Sequence, residues 1–105
     1  MAEEVFSNHW LNGVYKCKKC GRRLFSSNAK FNAHTEWPSF RKAIANGVKT
    51  KLNYGAPVRT LKVLCEGCEE HVGNLFDDGK TCGDDHPNAG LRYSVFSEKI
   101  TFDRA

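Results

Sequence analysis

Four of the five cysteines form two Cys-x-x-Cys pairs, Cys17 with Cys20 and Cys65 with Cys68. Two thiolates at this spacing lie on one tight turn, and two such turns together offer the tetrahedral set of sulfur ligands that Zn²⁺ prefers. Iron in a four-sulfur site and a pair of disulfides are the alternatives that remain. We predict one structural zinc ion, because four protein ligands leave no position for water or substrate.

A second chemical feature is the stretch GLRYSVFS at residues 90–97. Side chains of a strand alternate between two faces, so the apolar residues at 91, 93 and 95 form an ordinary core face. The other face carries a guanidinium, a hydroxyl and an aromatic ring, from Arg92, Ser94 and Phe96. This combination suits neither a core nor a plain solvent face, which makes Ser94 a candidate site residue.

The elements that must position these residues are mainly strands. Period-two alternation and flanking turn residues predict strands at residues 14–16, 23–25, 59–64, 72–76, 91–96 and 100–102. Pro38 suits the first turn of a helix, which we predict to end at Asn46, and residues 47–58 and 79–90 are predicted loops. The residues thus predict a small, mostly β domain of antiparallel hairpins with one or two short helices, tied together by the metal.

Length and composition set further bounds. The 105 residues allow one domain, residues 1–105, and 40% apolar content allows a modest core. No apolar run approaches the roughly 18–20 residues of a membrane span. The N-terminal residues are acidic where a signal peptide is basic and apolar, so we expect a cytoplasmic protein, with the nucleus as the alternative.

The chain resembles the B-type methionine sulfoxide reductases, which reduce the R epimer of methionine sulfoxide. The similarity lies in five stretches spanning about residues 5–103: GVYKCKKCGRRLFSSNAKF, WPSF, LKVLCEGC, HVGNLFDDG and LRYSVFSEKITF. The resemblance implies two antiparallel sheets with a four-cysteine zinc site on one side. Phe96 and the His34-containing approach to Trp37 are most similar to the selenoprotein-like subgroup.

The resemblance also implies roles for individual residues. Trp37 matches the tryptophan that packs against the substrate's methyl group, and Phe96 is a second substrate-binding residue. His71 and Asp78 match active-site residues, and Arg92 matches the arginine beside the nucleophile. Taken singly, each has an ordinary alternative, such as core filling for Trp37 or a solvated strand face for Arg92.

Two positions depart from the family pattern. Ser94 stands where the family carries its catalytic cysteine or selenocysteine, and Asn74 stands where the motif GHxF has a second histidine. Serine cannot replace the thiolate, because its hydroxyl is hardly ionised at neutral pH and its oxidised product would need an oxygen–oxygen bond. Three explanations remain: a substituted Cys or selenocysteine, a natural homologue that retains only binding, or a different activity on the same fold.

The fifth cysteine, Cys82, lies in the predicted loop 79–90. We predict that it is the resolving thiol when residue 94 is cysteine, although an incidental exposed cysteine is an equal alternative. The partners that the resemblance implies are methionine-R-sulfoxide, free or in proteins, and thioredoxin or a similar reductant, with the chain acting as a monomer in protein repair under oxidative stress.

A function of a different class is a non-catalytic zinc-containing module that binds protein or nucleic acid. Five basic residues surround the first cysteine pair: Lys16, Lys18, Lys19, Arg22 and Arg23. Basic residues mixed with aromatics can hold a nucleic-acid strand. A net charge of only +4 favours a solvated rim instead, and we expect no nucleic-acid partner.

Overall fold

The computed structural model describes residues 9–52, 60–84, 86–87 and 89–105. These residues form two antiparallel sheets, one of three strands in the order β2-β1-β9 and one of six in the order β3-β4-β8-β7-β6-β5. The strands are β1 (Gly13–Cys17), β2 (Arg23–Ser26), β3 (Lys30–Phe31), β4 (Ser39–Phe40), β5 (Val48–Leu52), β6 (Leu61–Cys65), β7 (His71–Phe76), β8 (Arg92–Val95) and β9 (Ile100–Arg104). The predicted fold, mostly β with two antiparallel sheets, is confirmed.

The short helices are single 3₁₀ turns at Ser27–Ala29 and Ser97–Lys99. No helix among the described residues is long and apolar enough to cross a membrane.

Aromatic side chains from both sheets form the centre of the core. Phe25 of β2 stacks on Phe40 of β4 with ring centroids 4.6 Å apart, and Tyr15 of β1 meets Phe40 edge-on at 5.1 Å. All three rings are fully buried. Burying a side chain of this size contributes about 1.5–3 kcal/mol, so these contacts hold the three-stranded sheet against the six-stranded one.

The predicted helix from Pro38 to Asn46 is wrong. Ser39 and Phe40 form β4, which pairs with β3 on one side and β8 on the other. The contacts of Phe40 with Phe25 and Tyr15 come from residues distant in sequence, and they outweigh the local helical spacing of apolar residues.

The predicted loop at residues 47–58 is also wrong in its first half. Val48–Leu52 forms β5, an edge strand paired with β6 in unbroken register. The sequence VKTKL does alternate with period two, but its many lysines and the neighbouring Gly47 favoured a loop interpretation. Lysine on an edge strand is a common device against unwanted strand pairing, so the charges are compatible with this strand. Residues 53–58 lie outside the described part of the chain.

The predicted strand at 91–96 is β8, an interior strand between β4 and β7. Tyr93 and Val95 face the core as predicted, whereas Leu91 lies outside the strand and is 43% exposed. Gly73 of β7 lies very close to β8, since a Cβ there would come within 2.2 Å of the Ser94 carbonyl oxygen. The absence of a side chain at Gly73 therefore permits the close strand pairing beside Ser94.

Candidate active site and metal centre

The four paired cysteines meet at one point between the two sheets. Cys17 ends β1 and Cys65 ends β6, and each begins a tight turn that brings its partner cysteine back. Sγ of Cys17 lies 3.6 Å from that of Cys68, and Sγ of Cys20 lies 3.4 Å from that of Cys65. All four sulfurs lie within 4.8 Å of one another, which is the arrangement a tetrahedral metal requires.

The thiols of the cluster differ in their electrostatic surroundings. Burial raises the pKa of Cys17 to about 12, although the backbone N–H groups of Cys20 and Lys19 donate to its sulfur. The N–H of Arg22 lowers the pKa of the exposed Cys20 to about 7. All five cysteines of the chain are free thiols, so the structure contains no disulfide. The donor set fits a soft metal bound by four sulfurs, and the predicted metal centre is confirmed as a cluster of ligands.

A separate cavity of about 240 Å³ opens over β8 and β7. Its lining combines three aromatic rings with amide, guanidinium and hydroxyl groups. The residues that line it are Thr35, Trp37, Asn74, Phe76, Arg92, Ser94 and Phe96. Five site residues singled out from the sequence thus line one cavity, with Ser94 among them.

Strand register explains why these side chains meet. Ser94 lies directly opposite Asn74 on one side and Ser39 on the other. Arg92 in turn lies opposite Phe76. Directly opposite residues of antiparallel strands share a face, so Asn74 and Phe76 of β7 face the cavity together with Arg92 and Ser94 of β8.

Arg92 is fixed by a two-pronged ion pair with Asp78. Its Nε and Nη2 donate to the two carboxylate oxygens at 2.8 and 3.1 Å, and its guanidinium lies 4.1 Å from the centre of the Phe76 ring. Hydrogen bonding from Arg92 holds the pKa of Asp78 below its usual range, so this carboxyl is ionised at neutral pH. The ion pair therefore holds the Arg92 side chain in one position in the cavity wall, and the charges of Arg92 and Asp78 offset each other.

His71 and Cys82 are not among the lining residues, but each interacts with a residue that is. His71 Nε2 is 3.2 Å from Asn74 Oδ1, and its ring meets Phe96 edge-on at 5.4 Å. The Cys82 thiol interacts electrostatically with both Asp78 and Arg92. Both residues thus contact the cavity through other side chains.

Trp37 and Ser94 differ in how far they are exposed to solvent. Trp37 is 38% exposed, which argues against the alternative that it merely fills the core. Ser94 is 5% exposed, and within the described part of the chain no basic side chain hydrogen-bonds to its hydroxyl. A serine without an adjacent base is a weak nucleophile.

Sequence reasoning missed Phe76 and the Arg41–Asp84 pair. Phe76 shares its face with Asn74, so period-two alternation along β7 could have placed it in the cavity. Arg41 and Asp84 are far apart in sequence, and no local pattern links them.

The chain also matches known proteins. The SelR domain family matches residues 2–104. This chain belongs to the B-type methionine sulfoxide reductases. The peptide methionine sulfoxide reductase MsrB of Thiobacillus denitrificans is 38% identical over 96 residues, which are 90% of this chain and 68% of that protein. The enzyme of the same name from Methanosarcina barkeri is 36% identical over 91 residues, covering 86% of this chain and 60% of that protein.

The B-type family is a family of oxidoreductases whose reaction is the reduction of methionine sulfoxide. Among solved structures, the Mis18 'Yippee-like' domain has a TM-score of 0.66 to this chain at 22% identity, covering 90% of this chain and 97% of that one. This second likeness concerns the fold alone.

Proposed function

We propose that the cavity beside Ser94 binds the side chain of methionine-R-sulfoxide, and that reduction by this domain requires a sulfur atom at position 94. The observation that carries the proposal is the cavity lining, in which the aromatic Trp37 and Phe96 and the polar Asn74 surround residue 94. A methyl sulfoxide has an apolar methyl group and a strongly polar oxygen, and this lining complements both.

The contact between His71 and Asn74 supports a role for the amide in this binding. His71 Nε2 is hydrogen-bonded to Asn74 Oδ1, so the amide NH₂ of Asn74 remains to donate to another acceptor. The sulfoxide oxygen is such an acceptor. Trp37 packs against the methyl group, while the Arg92–Asp78 pair fixes the cavity wall.

With a cysteine at position 94, the reaction would balance as a two-electron transfer. The thiolate attacks the sulfoxide sulfur and the sulfoxide oxygen takes up a proton. The oxygen then passes to the cysteine sulfur as its bond to the methionine sulfur breaks, so that methionine leaves and the cysteine becomes a sulfenic acid. Cys82 then attacks the sulfenic acid, releasing water and forming a disulfide that thioredoxin or a similar dithiol reduces. Serine cannot enter this sequence, so the chain with Ser94 binds the sulfoxide without turning it over.

The decisive experiment is Ser94→Cys, assayed with the R and S epimers of methionine sulfoxide and with dithiothreitol or thioredoxin as reductant. We expect turnover of the R epimer alone, and none in the unaltered chain or in Ser94→Ala. A folded, metal-loaded Ser94→Cys protein without turnover would overturn the proposal.

The role of Cys82 is tested in the same background. Adding Cys82→Ser to Ser94→Cys should abolish turnover with thioredoxin and preserve turnover with dithiothreitol, because a small thiol reduces the sulfenic acid directly. Equal loss with both reductants would contradict a resolving role.

We also propose that the metal is zinc and structural, and that residues 1–105 act as one monomeric domain in the cytoplasm. Two observations disfavour the alternative of a nucleic-acid module. Lys16 pairs with Asp103 and Lys19 with Glu70, which neutralises part of the basic cluster around the first cysteine pair. The alternative of a protein-binding module without catalysis is favoured by Ser94 itself, and it predicts partner capture that does not depend on methionine oxidation.

A further inference from the structure

A row of directly paired residues crosses the six-stranded sheet and leads away from the cavity. Ser94 of β8 pairs with Asn74 of β7, Asn74 with Lys62 of β6, and Lys62 with Lys51 of β5. Directly opposite residues share a face, so Lys62 and Lys51 lie on the same face as Asn74 and Ser94. The irregularity in the β6–β7 pairing comes after Val63 and leaves this row in register.

Distances along the row follow from sheet geometry. Adjacent strands are about 4.8 Å apart, which places Lys62 about 10 Å and Lys51 about 14 Å from Ser94 along the sheet. An extended peptide advances about 3.3 Å per residue. Residues three to four positions from a methionine bound at Ser94 would therefore pass over the two lysines.

Among the described residues, the positive charge of Lys62 and Lys51 is only partly balanced by carboxylates. Lys62 and Lys51 are both exposed, and among the described residues neither forms an ion pair. The neighbouring Lys49 does pair with Glu69, and Lys51 also acts electrostatically on Glu69, so Lys62 is the less compensated of the two. The Asp78 carboxylate pairs with Arg92 of the cavity lining.

One exposed acidic residue lies on the opposite side of the cavity. Glu36 is exposed and precedes Trp37, which leads into β4 on the other side of β8. Asp77 is exposed too, but it lines a different recess with Leu61 and Leu75. The cavity thus has a positive flank over β6 and β5 and a negative residue on its β4 side.

We propose that the Lys62–Lys51 flank selects peptide or protein segments that carry carboxylates within about four residues of the methionine sulfoxide. The inference rests on the proposed function, since it extends the same cavity to the residues flanking the oxidised methionine. An exposed pair of opposite charges is weak and salt-dependent, so the flank tunes preference among substrates while the cavity supplies the binding of the sulfoxide.

The test compares two peptides that contain one methionine-R-sulfoxide and differ only in two flanking residues, which are Glu in one and Gln in the other. Binding to the unaltered, metal-loaded chain is measured by calorimetry at low and at high salt. We expect the Glu peptide to bind about two- to fivefold more tightly at low salt, and the difference to shrink at high salt. Lys62→Gln should abolish the preference and Lys62→Glu should reverse it.

Lys42→Glu is the matched control, because Lys42 is an exposed lysine that lines another recess with Ser26 and Ala43. It should leave the preference intact. Equal binding of the two peptides to the unaltered chain, or a preference that persists in a Lys62→Glu/Lys51→Glu double variant, would overturn the inference and leave the proposed function standing. Failure of both peptides to bind would overturn the proposed function and the inference with it.

Discussion

In the function that we propose, the difference between oxygen and sulfur at position 94 decides whether the domain turns over a sulfoxide. The surrounding side chains keep the cavity in place, since Arg92 is held by Asp78 and Asn74 by His71. A thiol ionises far more readily than a hydroxyl and forms a stable sulfenic acid. A single atom thus separates the binding that we propose from catalysis.

In the proposed reaction, Asn74 is the second residue that limits the chemistry. An amide donates a hydrogen bond to the sulfoxide oxygen but transfers no proton to it. In a Ser94→Cys background, Asn74→His should raise kcat by about 10²-fold, because a positioned general acid typically contributes 10²–10⁴-fold. The pH profile of kcat should then fall on the alkaline side as the new imidazole loses its proton.

Steady-state kinetics between pH 5 and 9 give this measurement, with Asn74→Gln as the control that keeps the amide. Equal rates for the histidine and glutamine variants would indicate that position 74 does not contact the departing oxygen.

At the scale of elements, a buried ion pair fastens the segment between β7 and β8 to the chain just after β4. Arg41, just after β4, donates from Nε and Nη2 to the Asp84 carboxylate at 3.0 and 2.9 Å. The Asp84 side chain is 1% exposed and that of Arg41 is 15% exposed. The pair fixes the segment that carries Cys82 against the strand next to β8.

Asp84→Asn tests this anchor through stability. Hydrogen bonding from Arg41 lowers the pKa of Asp84 in the folded state, so its contribution to stability is present above the unfolded pKa, about 4, and is lost as pH falls through the lower folded pKa. We expect Asp84→Asn to reduce the free energy of unfolding by about 2–4 kcal/mol at pH 7, and the deficit to shrink below pH 4. Urea unfolding at several pH values measures both effects.

The matched control is Asp103→Asn, which removes an exposed carboxylate that pairs with Lys16 on β1. Such pairs are worth less than about 1 kcal/mol. If the two variants were equally stable at pH 7, Asp84 would not be an anchor.

At the scale of the whole molecule, the cysteine cluster joins the two sheets. Cys17 ends a strand of the three-stranded sheet and Cys65 ends a strand of the six-stranded one, and their sulfurs belong to the same ligand set. A chain of 105 residues has a modest core, and structural zinc in small domains contributes on the order of 10 kcal/mol. A metal bound by these four sulfurs would therefore add to the modest stability that the aromatic core gives the contact between the two sheets.

Cys65→Ala, or removal of the metal by a chelator, should unfold the domain. The measurement is circular dichroism together with elemental analysis, which should give one zinc per chain in the unaltered protein. Cys82→Ala is the matched control, because Cys82 lies outside the cluster and its loss should leave the metal content and the fold unchanged. A fully folded protein without metal would refute the structural assignment.

The sequence by itself determined the metal ligands, most strands and the candidate residues of β8. These follow from local signals, since Cys-x-x-Cys spacing and period-two alternation are properties of neighbouring residues, and the family motifs at Trp37 and His71 are contiguous stretches. The same local signals misassigned β4 and β5.

Only the tertiary structure decided which residues that are distant in sequence lie next to each other. Phe40 is a strand residue because Phe25 and Tyr15 pack against it. Arg41 is fixed because the segment between β7 and β8 brings Asp84 within hydrogen-bonding distance. The alignment of Lys62 with Asn74 and Ser94 likewise depends on the pairing of β6, β7 and β8. Pairing register depends on packing between segments distant in the chain, and a one-residue slip would turn every one of these side chains to the other face.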